Sequence, residues 1–147
     1  MIKIKAIIFD LDDTLYPNKN KNIKLKDSKE LLNNLSKKYK VGILSNSNSF
    51  EVANRIKKLG VEFPYRSRKL LLLRKPLPFG LNALLKELGV SKNEAIIVGD
   101  KIITDFLLGL LSRTPKVILL GKKEKDCRLF WTSLKIITNL NKLEEIL

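Results

Sequence analysis

The stretch Ala6-Ile-Ile-Phe-Asp-Leu-Asp-Asp-Thr-Leu15 decides the fold, because four apolar residues are followed directly by acidic ones. The residues from Ile2 onward first alternate between apolar and basic and then become continuously apolar, which indicates a strand entering the middle of a sheet. Asp10 ends the apolar run, and Asp12 follows two positions later. On an extended chain these two side chains share one face, so we expect them together where a loop leaves the strand.

Further apolar runs outward from this segment also predict strands. They are Val41–Leu44, Ala95–Val98, Lys116–Leu120 and a shorter sixth candidate, Lys135–Ile137. The leucine run Leu70–Leu73 is compatible with either a strand or a packed loop.

Helical spacing of apolar residues separates these strands. Asp27 and Glu30 form a capping-box pattern for the first helix, and Ser49 is a candidate N-cap for the second. Gly60 is the predicted end of the second helix, and Pro78 and Gly89 are the predicted start and end of the third. A fourth helix is predicted from about Ile102 to Leu111. Asn139 is the predicted cap of a last helix that runs to Leu147.

This alternation of strands and helices predicts an α/β fold. We expect a three-layer, Rossmann-like, doubly wound parallel sheet with helices on both faces. The 147 residues suffice for one domain, 1–147, but not for two. In such a fold, ligands bind beyond the carboxyl ends of the strands.

The amino-acid composition limits the kinds of catalytic and metal-binding site that the chain can form. The chain has no His and a single cysteine, Cys127, so it lacks the residues for a Ser-His or Cys-His nucleophile, an internal disulfide or a thiolate metal cluster. The formal net charge of +14 favours anionic partners such as nucleic acid, anionic lipid or phosphorylated metabolites, although a merely solvated basic surface is an equal alternative. We expect a cytoplasmic protein, with peripheral membrane contact left open.

Polar clusters follow the predicted strands and should meet at one edge of the sheet. They are Asp10 with Asp12, Ser45 with Asn46, Lys75, and Asp100 with Asp105. Packed carboxylates repel each other unless a cation intervenes, and a site rich in oxygen ligands suits Mg²⁺. A hydroxyl and an ammonium beside it would hold a phosphoryl group, so the sequence predicts phosphoryl chemistry with Mg²⁺ as cofactor and a phosphorylated, anionic substrate.

These motifs resemble those of the haloacid dehalogenase (HAD) superfamily. Asp10-Leu-Asp-Asp-Thr-Leu15 is similar to its DxDxT motif, and Ser45, Lys75 and Gly99-Asp100 with Asp105 match the other three in order. The segment from Arg74 to Asp105 resembles, more narrowly, the branch of subfamily IIIA that contains YqeG and phosphatidylglycerophosphatases. Two differences from that branch are Lys101 in place of Gln and Leu108-Gly-Leu-Leu111 in place of a glycine-rich turn.

The resemblance implies a role for each acidic residue of the site. Asp10 is the expected nucleophile, forming an aspartyl-phosphate, and Asp12 is the expected acid–base. The expected Mg²⁺ ligands are Asp10, the backbone carbonyl of Asp12, and Asp100. Asp105 is expected to support the metal through water or to orient Lys75.

The remaining roles also follow from the resemblance. Ser45 and Lys75 are expected to bind the phosphoryl group, with Asn46 as a helper. Thr14 is expected to order the loop after the first strand and not to contact the substrate.

Members of this superfamily usually carry a cap domain that shapes the substrate pocket. Here the gap after Leu15 and the gap from Ser45 to Lys75 are both too short for one. We therefore expect no separate cap and an open site, suited to large or surface-presented substrates.

The leading interpretation is a Mg²⁺-dependent phosphomonoester phosphatase, with phosphatidylglycerophosphate as the branch-based substrate. The alternatives are a polynucleotide-end phosphatase and a non-catalytic HAD-like module that binds RNA or an anionic membrane. The segment Arg66–Lys75, with basic ends around four leucines, could contact such a membrane, although a buried strand is the preferred interpretation. Oligomeric state, and hydrolysis as opposed to phosphoryl transfer, are left open.

Overall fold

The fold is taken from a computed structural model that describes residues 2–68 and 74–147. The leucine run Leu70–Leu73, and with it half of the segment considered for membrane contact, lies outside the described residues.

Strands and helices alternate along most of the chain. The strands are β1 (Ala6–Phe9), β2 (Lys40–Leu44), β3 (Tyr65–Arg66), β4 (Ala95–Gly99), β5 (Lys116–Leu120), β6 (Lys125–Leu129) and β7 (Thr132–Ile137). The helices are α1 (Leu25–Ser36), α2 (Ser49–Leu59), α3 (Phe79–Leu88), α4 (Leu107–Leu111) and α5 (Leu143–Ile146). Short 3-10 turns at Lys92–Glu94 and Leu140–Lys142 precede β4 and α5.

The strands form one sheet in the order β3-β2-β1-β4-β5-β7-β6. All neighbours run parallel except β6, which pairs with β7 as an antiparallel hairpin. β1 lies between β2 and β4, so the carboxyl ends of these three strands are adjacent. The predicted doubly wound, mostly parallel sheet is confirmed.

Alternate residues of the central strand pack into two cores on opposite faces of the sheet. Ile7 and Phe9 face the core that contains α1 and α2, whereas Ala6 and Ile8 face the core that contains α3 and α4. All four side chains are essentially inaccessible to solvent. A strand buried on both faces needs a continuous apolar run, which is what the sequence shows, and the result is a three-layer α/β/α arrangement.

The helix starts differ from those predicted. The capping box at Asp27 and Glu30 is wrong, because α1 already begins at Leu25, with Lys24 as N-cap, and Asp27 lies in its first turn. The N-cap of α2 is Asn48, whose side chain accepts the Glu51 N–H, and not Ser49. In α1, Leu25 packs against the core on this face of the sheet, so the helix begins before its predicted cap.

The helix ends were predicted better. Gly60 and Gly89 end α2 and α3 in the left-handed conformation, which favours glycine. Pro78 directly precedes α3, and Asn139 caps the 3-10 turn that leads into α5.

Two regions near the carboxyl end were only partly predicted. The expected helix over 102–111 is a π-helical turn, Ile102–Phe106, followed by the short α4. The predicted strand Lys135–Ile137 is the end of the longer β7, and its hairpin partner β6 was missed because every residue of β6 is exposed. An edge strand without a buried face has no apolar pattern to reveal it.

No helix in the described ranges is both long and apolar enough to cross a bilayer.

Candidate active site

The carboxyl ends of β1, β2 and β4 bring the predicted residues together. Asp10 directly follows β1, Ser45 follows β2, and Asp100 follows β4. The backbone N–H of Asp10 still donates to the Val98 carbonyl at 2.8 Å, which fixes the start of the loop against β4. The topology therefore gathers residues that are distant in sequence.

Lys75 lies at the centre of this group. Its Nζ is 2.7 Å from Asp10 Oδ1 and 2.6 Å from Asp105 Oδ1. The side chain is 3% exposed, so the ammonium is shielded from water and held between two carboxylates. Its own backbone is fixed by Asn46, whose side chain accepts the Lys75 N–H at 2.7 Å and donates to the Lys75 carbonyl at 3.1 Å.

Asp105 is the second carboxylate that positions the Lys75 ammonium. Its Oδ1 accepts from Lys75, and its Oδ2 accepts the backbone N–H groups of Asp100 and Lys101, each at 3.1 Å. Gly99 makes room for this arrangement, because a Cβ there would collide with the Asp105 carboxyl group. Of the two roles expected for Asp105, the geometry favours orientation of Lys75.

Burial makes two carboxyl groups of the site, those of Asp10 and Asp100, costly to ionise. Burial raises the pKa of Asp10 to about 8, even though the Lys75 ammonium lowers it, and the nearby Asp105 carboxylate adds to the rise. Burial also raises the pKa of Asp100. Burial by itself would lower the pKa of Lys75, but Asp10 and Asp105 together outweigh it and hold that pKa above its ordinary range.

The carboxylates fit a divalent cation. Oxygens of Asp10, Asp100 and Asp105 lie within 4.8 Å of one another. Both oxygens of Asp105 already accept hydrogen bonds, whereas the buried Oδ1 of Asp100 has no hydrogen-bond partner among the residues described. A hard cation between Asp10 and Asp100 would satisfy this orphaned oxygen and offset the cost of two close, partly buried carboxylates.

Asp12 is held by two residues that the sequence analysis missed. Its Oδ2 accepts from Ser47 Oγ at 2.8 Å and from an Arg55 guanidinium nitrogen at 2.7 Å. Arg55 comes from α2 and also lies over the Tyr16 ring, 5.8 Å from its centroid. Nothing in the local sequence links residues 43 positions apart, so only the packing of α2 beside β1 reveals this pair.

Ser45 and Thr14 occupy buried positions beside the carboxylates. Ser45 is 2% exposed, and its Oγ accepts the Ser47 N–H, which leaves its own hydroxyl proton to donate elsewhere. Thr14 is fully buried, and its Oγ1 has no hydrogen-bond partner in the described part of the chain.

The loop after β1 is organised by Asp13. Its Oδ1 accepts the backbone N–H groups of Asn18, Lys19 and Asn20, at 3.1, 2.7 and 2.8 Å. Asp13 has a positive φ of 59°, which aspartate tolerates better than most residues. This side chain therefore shapes the loop.

A wide cleft of about 890 Å³ opens beside the carboxylates. It reaches Thr14 and Asp100 at one end and the residues after β5 and β7 at the other. We name it the lysine cleft, after the four lysines among its lining residues: Lys19, Lys24, Lys101 and Lys122. In the described ranges no inserted folded unit covers this edge, since residues 10–24 form a loop and α2 and β3 directly follow β2.

Comparison with known proteins identifies similar sequences. Residues 16–110 match the family described as "Haloacid dehalogenase-like hydrolase". "Probable phosphatase YqeG" of Bacillus subtilis (strain 168) is 31% identical over 108 residues, which are 72% of this chain and 58% of that protein. The aligned part of this chain thus spans less than two thirds of that relative.

Solved structures share the fold at lower identity. An uncharacterized protein from Listeria monocytogenes serotype 4b superposes with a TM-score of 0.74 and 20% identity, over 97% of this chain and 96% of that one. A HAD phosphatase from Thermococcus onnurineus gives 0.70 and 15%, over 97% of both chains. YfnB from Bacillus subtilis, solved bound to magnesium, gives 0.74 and 14%, over 98% of both.

Proposed function

This chain belongs to the haloacid dehalogenase-like hydrolase family, and we propose that it is a Mg²⁺-dependent phosphomonoester phosphatase with Asp10 as nucleophile. One observation carries the proposal: the Asp10 carboxyl is buried at the end of β1 between the Lys75 ammonium and the free oxygen of Asp100. A purely structural ion pair would not need a second, unpartnered carboxylate beside it.

The residues divide the reaction between them. Asp10 in its ionised form attacks phosphorus, forming the new O–P bond as the bond to the leaving oxygen breaks, and Asp12 in its protonated form donates its proton to that oxygen. Asp12 then takes a proton from water, which attacks phosphorus and releases phosphate and free Asp10. Lys75 and Ser45 hold the phosphoryl oxygens throughout.

The metal ligands in this proposal are Asp10, Asp100 and the backbone carbonyl of Asp12. When bound there, Mg²⁺ supplies positive charge that lets an anionic nucleophile approach an anionic phosphoryl group. Asn46 acts on the substrate only indirectly, by fixing the backbone of Lys75.

Arg55 is a positioning residue for Asp12 in this scheme. Changing Arg55→Ala removes the guanidinium that fixes the Asp12 carboxylate, and we expect kcat to fall about 10-fold with little change in KM. The free energy of unfolding should change by only about 1 kcal/mol, because both side chains are about one fifth exposed. Steady-state kinetics and denaturant unfolding measure the two effects.

Lys58→Ala on the same helix is the matched control, since Lys58 is exposed and lies at the C-terminal end of α2. Equal kcat values in the Arg55 variant and the parent would show that Asp12 needs no such support.

The open edge of the sheet is compatible with a large or surface-presented substrate. The branch resemblance suggests phosphatidylglycerophosphate. The net charge of +14 favours a polynucleotide end as the second candidate, because its phosphodiesters would contact the basic surface. A non-catalytic module that binds RNA or an anionic membrane is the third alternative, and the complete set of carboxylates around Lys75 argues against it.

The test is hydrolysis of 4-nitrophenyl phosphate with MgCl₂ or with a chelator, followed by a panel of lipid, nucleotide and sugar phosphates. We expect turnover only with Mg²⁺, because without it the buried carboxylates repel the substrate. Salt-sensitive binding to polyanions with no turnover of any panel member would instead support the non-catalytic module.

A further inference from the structure

We propose that the lysine cleft is a second anion subsite, which binds a phosphate carried by the leaving group of the substrate. The preferred substrate would then have two phosphate groups, one cleaved at Asp10 and one held by Lys19, Lys24, Lys101 and Lys122. This inference rests on the proposed function, since it places the first phosphate at Asp10.

The position of the cleft fits a leaving group. It borders the site through Thr14 and Asp100, while Asp10 and Lys75 are not among its lining residues. The cleft adjoins the site on the side of Asp13, Thr14 and Asp100, and in this proposal it accommodates the remaining atoms of a substrate whose phosphoryl group lies on Asp10. The volume of about 890 Å³ is within the range of pockets that hold small organic ligands.

The charge of the cleft fits an anion. Four lysines line it against three aspartates: Asp13, Asp27 and Asp100. One oxygen of Asp13 already accepts three backbone N–H groups, and Asp100 belongs to the proposed metal site. None of the four lysines forms an ion pair with any residue that the structure describes.

The lysines converge from three separate loops. Lys19 and Lys24 follow β1, Lys101 follows β4, and Lys122 follows β5. Their exposed ammonium groups give the cleft a positive potential, which favours an anion and is screened by salt. An exposed ammonium is a point charge that binds phosphate without strict geometry, which suits a subsite open to solvent.

Neutral groups in the cleft complement these charges. Thr14 is a lining residue of the cleft, and its buried Oγ1 has no hydrogen-bond partner within the described residues. Asn20 and Asn139 are also lining residues, and the side-chain oxygen of each accepts a backbone N–H. Their amide NH₂ groups can donate hydrogen bonds to the polar linker between two phosphates. The cleft therefore offers contacts to both a charged group and its polyol or sugar linker.

The experiment compares fructose 1,6-bisphosphate with fructose 6-phosphate, which differ by one phosphate. We expect the parent protein to have a kcat/KM about 10-fold higher for the bisphosphate. The variant Lys19→Ala/Lys24→Ala/Lys122→Ala should lose this preference, and Lys101 is left intact because it adjoins Asp100. Added NaCl should weaken the preference of the parent protein.

The matched control is Lys37→Ala/Lys57→Ala/Lys58→Ala, which removes the same charge from exposed positions near the other ends of α1 and α2. It should keep the preference for the bisphosphate. Equal kcat/KM values for the two sugars in the parent protein, or equal losses of preference in both triple variants, would overturn the proposal.

Two further measurements separate the outcomes. Calorimetric binding to the Asp10→Asn protein should be tighter for the bisphosphate than for the monophosphate. That comparison tests the subsite even if no substrate is hydrolysed.

Vesicles of phosphatidylcholine with phosphatidylglycerophosphate present the same pair of phosphates on a membrane. Their faster hydrolysis relative to the soluble bisphosphate would assign the second phosphate to a lipid headgroup, and slower hydrolysis to a soluble metabolite.

Discussion

Changing Asp10→Asn should lower kcat for 4-nitrophenyl phosphate by about 10³-fold or more, because the amide cannot attack phosphorus. The side chain keeps its size, and its burial is less costly when neutral, since burial already raises the pKa of the Asp10 carboxyl to about 8. We therefore expect the variant to fold, with a thermal unfolding midpoint within several degrees of the parent. Steady-state kinetics and circular dichroism measure the two properties.

Asp13→Asn is the matched control, because Asp13 lies in the same loop and its carboxylate accepts backbone N–H groups of that loop. The amide oxygen of asparagine can still accept the N–H groups of Asn18, Lys19 and Asn20, so activity should stay within about threefold. If both variants lost activity equally, the loop and not the Asp10 carboxylate would be responsible. If the Asp10 variant kept its activity, Asp10 would not be the nucleophile.

Changing Lys75→Met should both inactivate and destabilise the protein. It leaves the carboxylates of Asp10 and Asp105 buried without their shared countercharge, and the Asp105 side chain is fully inaccessible to solvent. We expect a loss of about 3–5 kcal/mol in the free energy of unfolding, measured in denaturant without metal. Activity should fall below detection, since no ammonium remains to hold the phosphoryl group.

Two further variants show whether the stranded charges cause the loss of stability. Lys57→Met replaces an exposed lysine on α2 and should change the free energy of unfolding by less than about 0.5 kcal/mol. The double variant Lys75→Met/Asp105→Asn removes one of the stranded charges and should recover part of the stability without recovering activity. A loss below about 1 kcal/mol in the single variant would contradict the assigned role of Lys75.

The central sheet could be predicted from the sequence because its strands are buried on both faces. Runs such as Ala6–Phe9 and Ala95–Gly99 must be continuously apolar to fill two cores at once, and that pattern is visible without a structure. All five residues of β6 are exposed, so this strand contributes to neither core and shows no such apolar pattern. The two-residue β3 is too short for any periodicity.

Some residues of the candidate site could also be predicted from the sequence, and others could not. The residues that follow strand ends, Asp10, Ser45 and Asp100, could be predicted because a parallel sheet gathers those ends. The contacts of Asp12 with Ser47 and Arg55 depend on how α2 packs against the loop after β1, which the sequence does not encode locally. The lysine cleft was likewise invisible, since its lysines are ordinary basic residues until the loops converge.

The most direct measurement of the central claim is to trap the phosphorylated enzyme. The protein is mixed with Mg²⁺ and a rapidly turned-over phosphomonoester, quenched in acid, digested and analysed by mass spectrometry. We predict a phosphoryl group on Asp10 that is removed by hydroxylamine, as expected for an acyl phosphate, and no such group in the Asp10→Asn protein. Continued turnover with a phosphoryl group on another residue, or with none trapped at any time during the reaction, would contradict an aspartyl-phosphate mechanism at Asp10.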